Sequence, residues 1–189
     1  MPAKSKSKSR ARAKAKPKAR AKARARARVK PIPEGFHSLT PYLVVKDAPR
    51  AIEFYKQAFG AAVRSVHYAP DGKVMNAELK IGNSVFMMNE EFPEMGALSP
   101  LSRGGTSVNI HIYCPDVDTA FNKAVAAGAK VKMPLMDMFW GDRYGSLEDP
   151  FGHAWSVGTR KEDLTPKEIE KRGKAAFARM NEKKQAAGA

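Results

Sequence analysis

The stretch Gly141-Asp142-Arg143-Tyr144-Gly145-Ser146-Leu147-Glu148-Asp149-Pro150-Phe151-Gly152-His153-Ala154-Trp155-Ser156-Val157 decides the reading of this chain. Residues 143–148 and 154–158 have strand character, and Asp-Pro-Phe-Gly between them has the chemistry of a tight turn. Pro150 presets φ near the start of that turn, and Gly152 supplies the positive φ that closes it. Alternation along the second strand puts Trp155 and Val157 on one face and Ala154 and Ser156 on the other.

The segments before this hairpin supply the rest of a repeating unit. A strand from Leu39 through Thr40-Pro41-Tyr42-Leu43-Val44-Val45 leads to Asp47, a helix cap with Pro49 in the first turn. The helix over 50–59 collects Ala51, Ile52, Phe54, Tyr55 and Phe59 on one face and ends at Gly60. Strands follow at 62–68, 74–81 and 84–89, with Asp71-Gly72 and Gly82-Asn83 as turns. The order then recurs: a strand over 107–114, the cap Asp116, a helix over 117–127, Gly128, and strands near 130–133, 143–148 and 154–158. Asp47 and Asp116 stand 69 residues apart, and the same offset pairs Ala51 with Ala120 and Ile52 with Phe121. A shared offset of this kind signals duplication.

Charge divides the chain sharply. Residues 1–30 hold 14 of its 34 Lys and Arg and no acid, leaving 20 basic against 19 acidic side chains in a nearly neutral remainder. Lys or Arg alternating with Ala and Ser cannot offset the entropy of ordering, so residues 4–30 read as a disordered tail. Such a tail attracts polyanions, and non-specific nucleic-acid association through residues 4–30 is one expectation. With no aromatic residues in it, base specificity is not expected. Cys114 is the only cysteine and ends an apolar strand. An intrachain disulfide and a thiolate zinc cluster are therefore excluded. No apolar run has membrane-spanning length, and a soluble cytoplasmic protein is the default. Thr165-Pro166-Lys167-Glu168 is a capping box opening a last helix, whose Ile169, Ala176, Phe177 and Met180 form a stripe for docking on the domain or a second subunit. The predicted organisation is a tail over 1–33, a domain over 34–160 with modules at 34–100 and 104–160, and a C-terminal helix and tail over 161–189.

Two βαβββ units, a helix ending in Ala-Phe-Gly-Ala, and the closing Asp-Pro-Phe-Gly-His-x-Trp together resemble the vicinal-oxygen-chelate superfamily of glyoxalase I, bleomycin-resistance proteins and extradiol dioxygenases. Within it, Thr40-Pro41-Tyr42-Leu43, Met138-Phe139-Trp140-Gly141-Asp142-Arg143-Tyr144-Gly145 and Asp163-Leu164-Thr165-Pro166 are most similar to the uncharacterised PhnB-like group. The resemblance covers roughly residues 39–172. It implies an α+β fold in which paired βαβββ modules form a cup-shaped mixed sheet, with the basic tail and C-terminal helix appended. It also implies four slots for a divalent metal, which fall here on Thr40, the Phe86-Met87-Met88 strand, Asn109 and Ser156. Hydroxyls, amides and thioethers are poor donors for such ions. No cofactor is therefore expected, with a divalent metal near His111 as the alternative.

Strand alternation turns Leu39, Leu43, Val45, Val108, Ile110 and Ile112 toward the helices and Thr40, Tyr42, Asn109, His111, Tyr113 and Ser156 toward the cup, and it gives Met75, Ala77, Leu79 and Ile81 one apolar face. The candidates for gripping a ligand are Thr40, Tyr42, Asn109 and Ser156 in the cup and Trp140, Arg143 and Tyr144 at its rim. Arg143 offers a planar fork for carboxylate or phosphate beside aromatic neighbours, with a structural pairing to Asp142 or Glu148 as the bland alternative. Glu78 and His111 are the candidates for proton transfer, with a solvated edge charge and a structural histidine as the bland alternatives. Three functions are open: binding of a small organic ligand without the metal, as in bleomycin-resistance proteins; a glyoxalase-type lyase or isomerase using Glu78 and His111; and a nucleic-acid-associated protein working through its tail. The resemblance also implies a homodimer. The sequence does not decide whether the protein is an enzyme.

Overall fold

The computed structural model describes residues 29–187, so the expectation for the tail before residue 29 lies outside the described residues. The folded unit begins at Gly35. Its elements run β1 (Tyr42–Val45), α1 (Ala48–Phe59), β2 (Ala62–Tyr68), β3 (Val74–Ile81), β4 (Ser84–Glu90), a 3-10 turn (Pro93–Met95), α2 (Pro100–Arg103), β5 (Asn109–Tyr113), α3 (Val117–Ala126), β6 (Lys130–Asp137), β7 (Asp142–Glu148), β8 (Ala154–Arg160) and α4 (Pro166–Ala187). The strands form two sheets of identical topology, β1-β4-β3-β2 and β5-β8-β7-β6. In each, the first strand pairs parallel with the last and the other pairings are antiparallel. The duplicated βαβββ design is thus the architecture of the folded chain.

Local chemistry sets these elements. Asp47 adopts φ 69°, and its carboxylate accepts from the Arg50 amide. Asp116 accepts from the Thr119 amide in the matching place before α3. Gly60 closes α1 with φ 65°. Apolar spacing on α1 buries Ala51, Ile52, Phe54, Tyr55 and Ala58, and burial of each large side chain stabilises by about 1.5–3 kcal/mol. α1 and α3 pack on each other, α1 also against β2, β3 and β4 and α3 against β6, β7 and β8. One core runs through both modules, joining Phe54, Tyr55 and Phe86 of the first to Phe151, Trp155 and Val157 of the second.

The strands differ from the sequence reading at their ends. β1 starts at Tyr42, not Leu39, and β5 at Asn109, not residue 107. Leu39 and Val108, expected to pack on the helices, are 88% and 65% exposed. Both precede the first paired residue of an edge strand, so no ladder turns their side chains toward the core. Met75, expected on the apolar face of β3, is exposed because the β2–β3 register slips between His67 and Tyr68. β6 is longer than expected and pairs irregularly with β7.

The closing hairpin has the predicted turn, with Gly152 at φ 85°. A Cβ there would also lie 3.0 Å from Pro100. Its leading acid does more than turn the chain. Asp149, 2% exposed, accepts from the Tyr55 hydroxyl at 2.7 Å, Trp155 Nε1 at 2.8 Å, and the Phe151 and His153 amides at 2.9 Å. Burial, together with this carboxylate, pushes the Tyr55 phenol well above its ordinary pKa. Asp149 therefore ties the first module's helix to the second module's hairpin. His153 adds a link across the seam, its Nε2 lying 3.0 Å from the Val44 carbonyl on the edge of β1.

Candidate functional site

Strand register assembles the site on the open face of the second sheet. Opposite residues of paired strands share a face, so His111–Ser156–Ser146 form one row and Tyr113–Gly158–Tyr144 the next. From the row before them, opposite Ala154, Asn109 Nδ2 donates to Ser156 Oγ at 2.8 Å, and His111 Nδ1 lies 2.8 Å from the same oxygen. Ser156 is 1% exposed, whereas Asn109 and His111 are exposed. Gly158 leaves room for the imidazole: a Cβ there would stand 3.1 Å from His111 Cε1 and 3.3 Å from Nε2.

Aromatic rings border this group. Tyr144 lies near-parallel to His111 with centroids 5.8 Å apart, and Tyr113 meets the imidazole edge-on at 4.4 Å. Trp140 packs against Tyr144 at 5.7 Å from the turn before β7. Asp142, 6% exposed, accepts from the Tyr113 hydroxyl at 3.0 Å and from Trp140 Nε1 at 3.1 Å, and so orients both. Its hydrogen bond raises the Tyr113 pKa. Partial desolvation of the ring lowers the His111 pKa, and the Asp142 charge opposes it more weakly. Behind Trp140, Phe139 rests against Gly173 and Phe177 of α4. Ile169 and Ala176 are half-buried on that helix, while Phe177 and Met180 remain 57% and 53% exposed.

The remaining sequence candidates lie elsewhere. Arg143 belongs to the other face of β7 and forks onto Asp118 of α3, with Nε 2.8 Å from Oδ2 and Nη2 2.7 Å from Oδ1. A further contact to Asp137 spans 3.4 Å. Glu78 sits on the first sheet, opposite Met87 and Ser65, with Arg64 Nη1 at 3.9 Å. No hydrogen bond or ring contact joins Glu78 to His111 among the described residues. Tyr42, half-exposed, is opposite Met87, and Thr40 donates to the His37 carbonyl at 3.0 Å. The edge of β5 flanks two clefts of about 690 and 590 Å³, the first shared with β1 and the second with the β3–β4 turn. Tyr42 and Asn109 line the larger, and His111 and Tyr113 the smaller.

Sequence reasoning placed Asn109, His111, Tyr113 and Ser156 on one face but left Tyr113 out of the site, and read Asp142 only as a partner for Arg143. The signal for Asp142 was strand parity: it shares a face with Tyr144, whereas Arg143 points the other way.

Residues 35–157 match the model of the Glyoxalase/Bleomycin resistance protein/Dioxygenase superfamily, and the chain belongs to that superfamily. An uncharacterized protein of Mycobacterium bovis is 44% identical over 136 residues, covering 70% of this chain and 90% of the relative. Among solved structures, TioX from Micromonospora sp. ML1 matches with a TM-score of 0.53 and 26% identity, over 68% of this chain and all of that one. A gene product of Arabidopsis thaliana matches with a TM-score of 0.53 and 27% identity, over 65% and 98% of the two chains.

The metal slots implied by this kinship can be tested on their donors. Thr40 spends its hydroxyl proton on His37, and Met87 offers only a thioether. Asn109 and Ser156 are bonded to each other, and the Ser156 oxygen also meets His111. Among the described residues, no three of His, Cys, Asp and Glu come together. This donor set does not fit a divalent cation.

Proposed function

We propose that this protein binds a small, flat, polar organic molecule on the open face of its second sheet, without a divalent metal. The observation that supports this most is the connected group Asn109–Ser156–His111, bordered by Tyr113, Tyr144 and Trp140, on a face that no core covers. Aromatic walls with a few oriented polar groups are the usual makings of a small-molecule site. Thr40 and Tyr42 extend the surface from the neighbouring edge. Arg143, held by Asp118, supports β7 in this reading and does not grip the ligand.

Within the superfamily we place the chain with the PhnB-like group, on the motifs around Thr40 and Trp140. A cytoplasmic homodimer is the assembly we favour. Exposed Leu39 and Val108 beside the seam, and Phe177 and Met180 on α4, are the apolar surfaces a second copy would cover. A lyase or isomerase pairing Glu78 with His111 has less support, because the two stand on different sheets. Nucleic-acid association through residues 4–30 rests on composition alone.

Tryptophan fluorescence tests the binding reading, since Trp155 is buried in the core and Trp140 borders the site. Titration with a panel of flat carbonyl compounds is expected to give saturable quenching that Trp140→Phe removes. Tyr144→Ala should weaken binding about tenfold, or about 1.4 kcal/mol. Stoichiometric divalent metal in protein purified without chelator, lost on His111→Ala, would overturn it.

A further inference from the structure

We propose that Asn109, acting through Ser156, fixes His111 as a hydrogen-bond donor toward the open face, so that the ligand must present an acceptor such as a carbonyl or anionic oxygen. This deepens the binding reading above and rests on it for the ligand, though not for the state of the ring.

Proton counting along the relay carries the inference. The Ser156 hydroxyl has one proton and two lone pairs, and its partners are Asn109 Nδ2 and His111 Nδ1, each at 2.8 Å. The amide nitrogen only donates, so one lone pair of Ser156 is taken. Were Nδ1–H to donate to the second lone pair, the proton of this buried hydroxyl would have no acceptor among the described residues, so it goes to Nδ1, which accepts. A neutral imidazole accepting at Nδ1 carries its proton on Nε2. Nε2 has no hydrogen-bond partner among the described residues, and it lies over Gly158, where the absence of a Cβ leaves it open. Partial desolvation of the ring disfavours its protonation, while Asp142 on β7 pulls the other way; the phenols of Tyr113 and Tyr144 complete its ionisable surroundings. A neutral ring with Nε2–H polarises an acceptor and has no lone pair there with which to take a proton.

The same three residues would run in reverse if position 109 accepted. His111 Nδ1–H would then donate to Ser156, Ser156 to residue 109, and Nε2 would show a lone pair. A carboxylate is acceptor-only, so Asn109→Asp forces that arrangement. Position 109 therefore sets whether this face donates or accepts.

Long-range proton–nitrogen NMR of histidine-labelled full-length protein reads the ring directly, with His111→Gln to assign its signals among the four histidines. The expected wild-type state is a protonated Nε2 and a bare Nδ1. Asn109→Asp is expected to exchange the two and raise the titration midpoint of the ring. A bare Nε2 in the wild type overturns the proposal, and an unchanged tautomer in Asn109→Asp overturns the role of Asn109. Two probes of one shape extend the test: benzamide, with an acceptor oxygen, and benzamidinium, with donors only. Benzamide is expected to shift His111, Tyr144 and Trp140 resonances where benzamidinium does not; the opposite preference overturns the ligand class. If neither moves them, the binding reading of this face fails, and the nitrogen signals still decide the donor assignment.

Discussion

The two modules are built to one plan and have diverged where it matters most. In the first, β3 and β4 close through Gly82-Asn83, an exposed turn whose one side-chain bond is local, from Ser84 to Asn83. In the second, β7 and β8 close through residues 149–153, whose leading acid is buried under four donors. The open faces diverge too. Thr40, Tyr42 and Met87 of the first module stand 69 residues before Asn109, His111 and Ser156 of the second. Only the second trio is joined by side-chain hydrogen bonds. The first module lends its helix and edge strand, and the second concentrates both the keystone of the core and the candidate site.

The largest effect should come from that keystone. Asp149→Ala leaves the Tyr55 hydroxyl, the Trp155 indole and two amides without their acceptor, and is expected to cost roughly 3–5 kcal/mol in urea denaturation. Asn83→Ala, in the first module's turn, should stay within about 0.5 kcal/mol. Equal losses at the two turns would erase the contrast.

A middling effect is expected where the helices meet the sheets. A Cβ on Gly145 would stand 2.7 Å from the buried Phe121 ring and 3.1 Å from Leu135. By strand register the first module has Ala77 in that place, and its helix carries the smaller Ile52 where α3 carries Phe121. Gly145→Ala should therefore cost about 1–3 kcal/mol through overpacking. Adding Phe121→Ile should recover part of it, a non-additivity that a double-mutant cycle measures.

The smallest effect separates the two faces by pH. His111 has a lowered pKa in the folded protein, so below the free-imidazole value of about 6.5 the unfolded chain binds more protons. Stability should fall as pH drops through that window. His111→Gln should flatten that slope in denaturation curves taken between neutral and mildly acidic pH, and Tyr42→Phe should leave it unchanged. An acid slope that survives His111→Gln would assign it to another group.

Much of the fold was legible because its signals are local or periodic. Asp47 and Asp116 announced their helices, Gly60 and Gly152 their positive φ, and the shared offset of 69 residues the duplication. Strand parity also put Asn109, His111 and Ser156 on one face. What escaped the sequence were partners distant along the chain. Asp149 read as a turn former, although its main acceptor role is toward Tyr55, 94 residues earlier. Arg143 read as a ligand fork, but α3 brings Asp118 to it from 25 residues away. Leu39 and Val108 read as packed, because composition does not show where a ladder begins.

The paired βαβββ plan, the turn chemistry of the closing hairpin, and the poverty of metal donors in the implied slots are written in the residues themselves. Those follow from φ preferences, alternation and residue type, which travel with the chain. That Asp149 holds the modules together, that Arg143 forks onto α3, and that Asn109 and His111 meet at Ser156 emerges from the folded chain alone. Burial and hydrogen-bond saturation are properties of neighbours in space, and those neighbours come from strands and helices far apart in the chain.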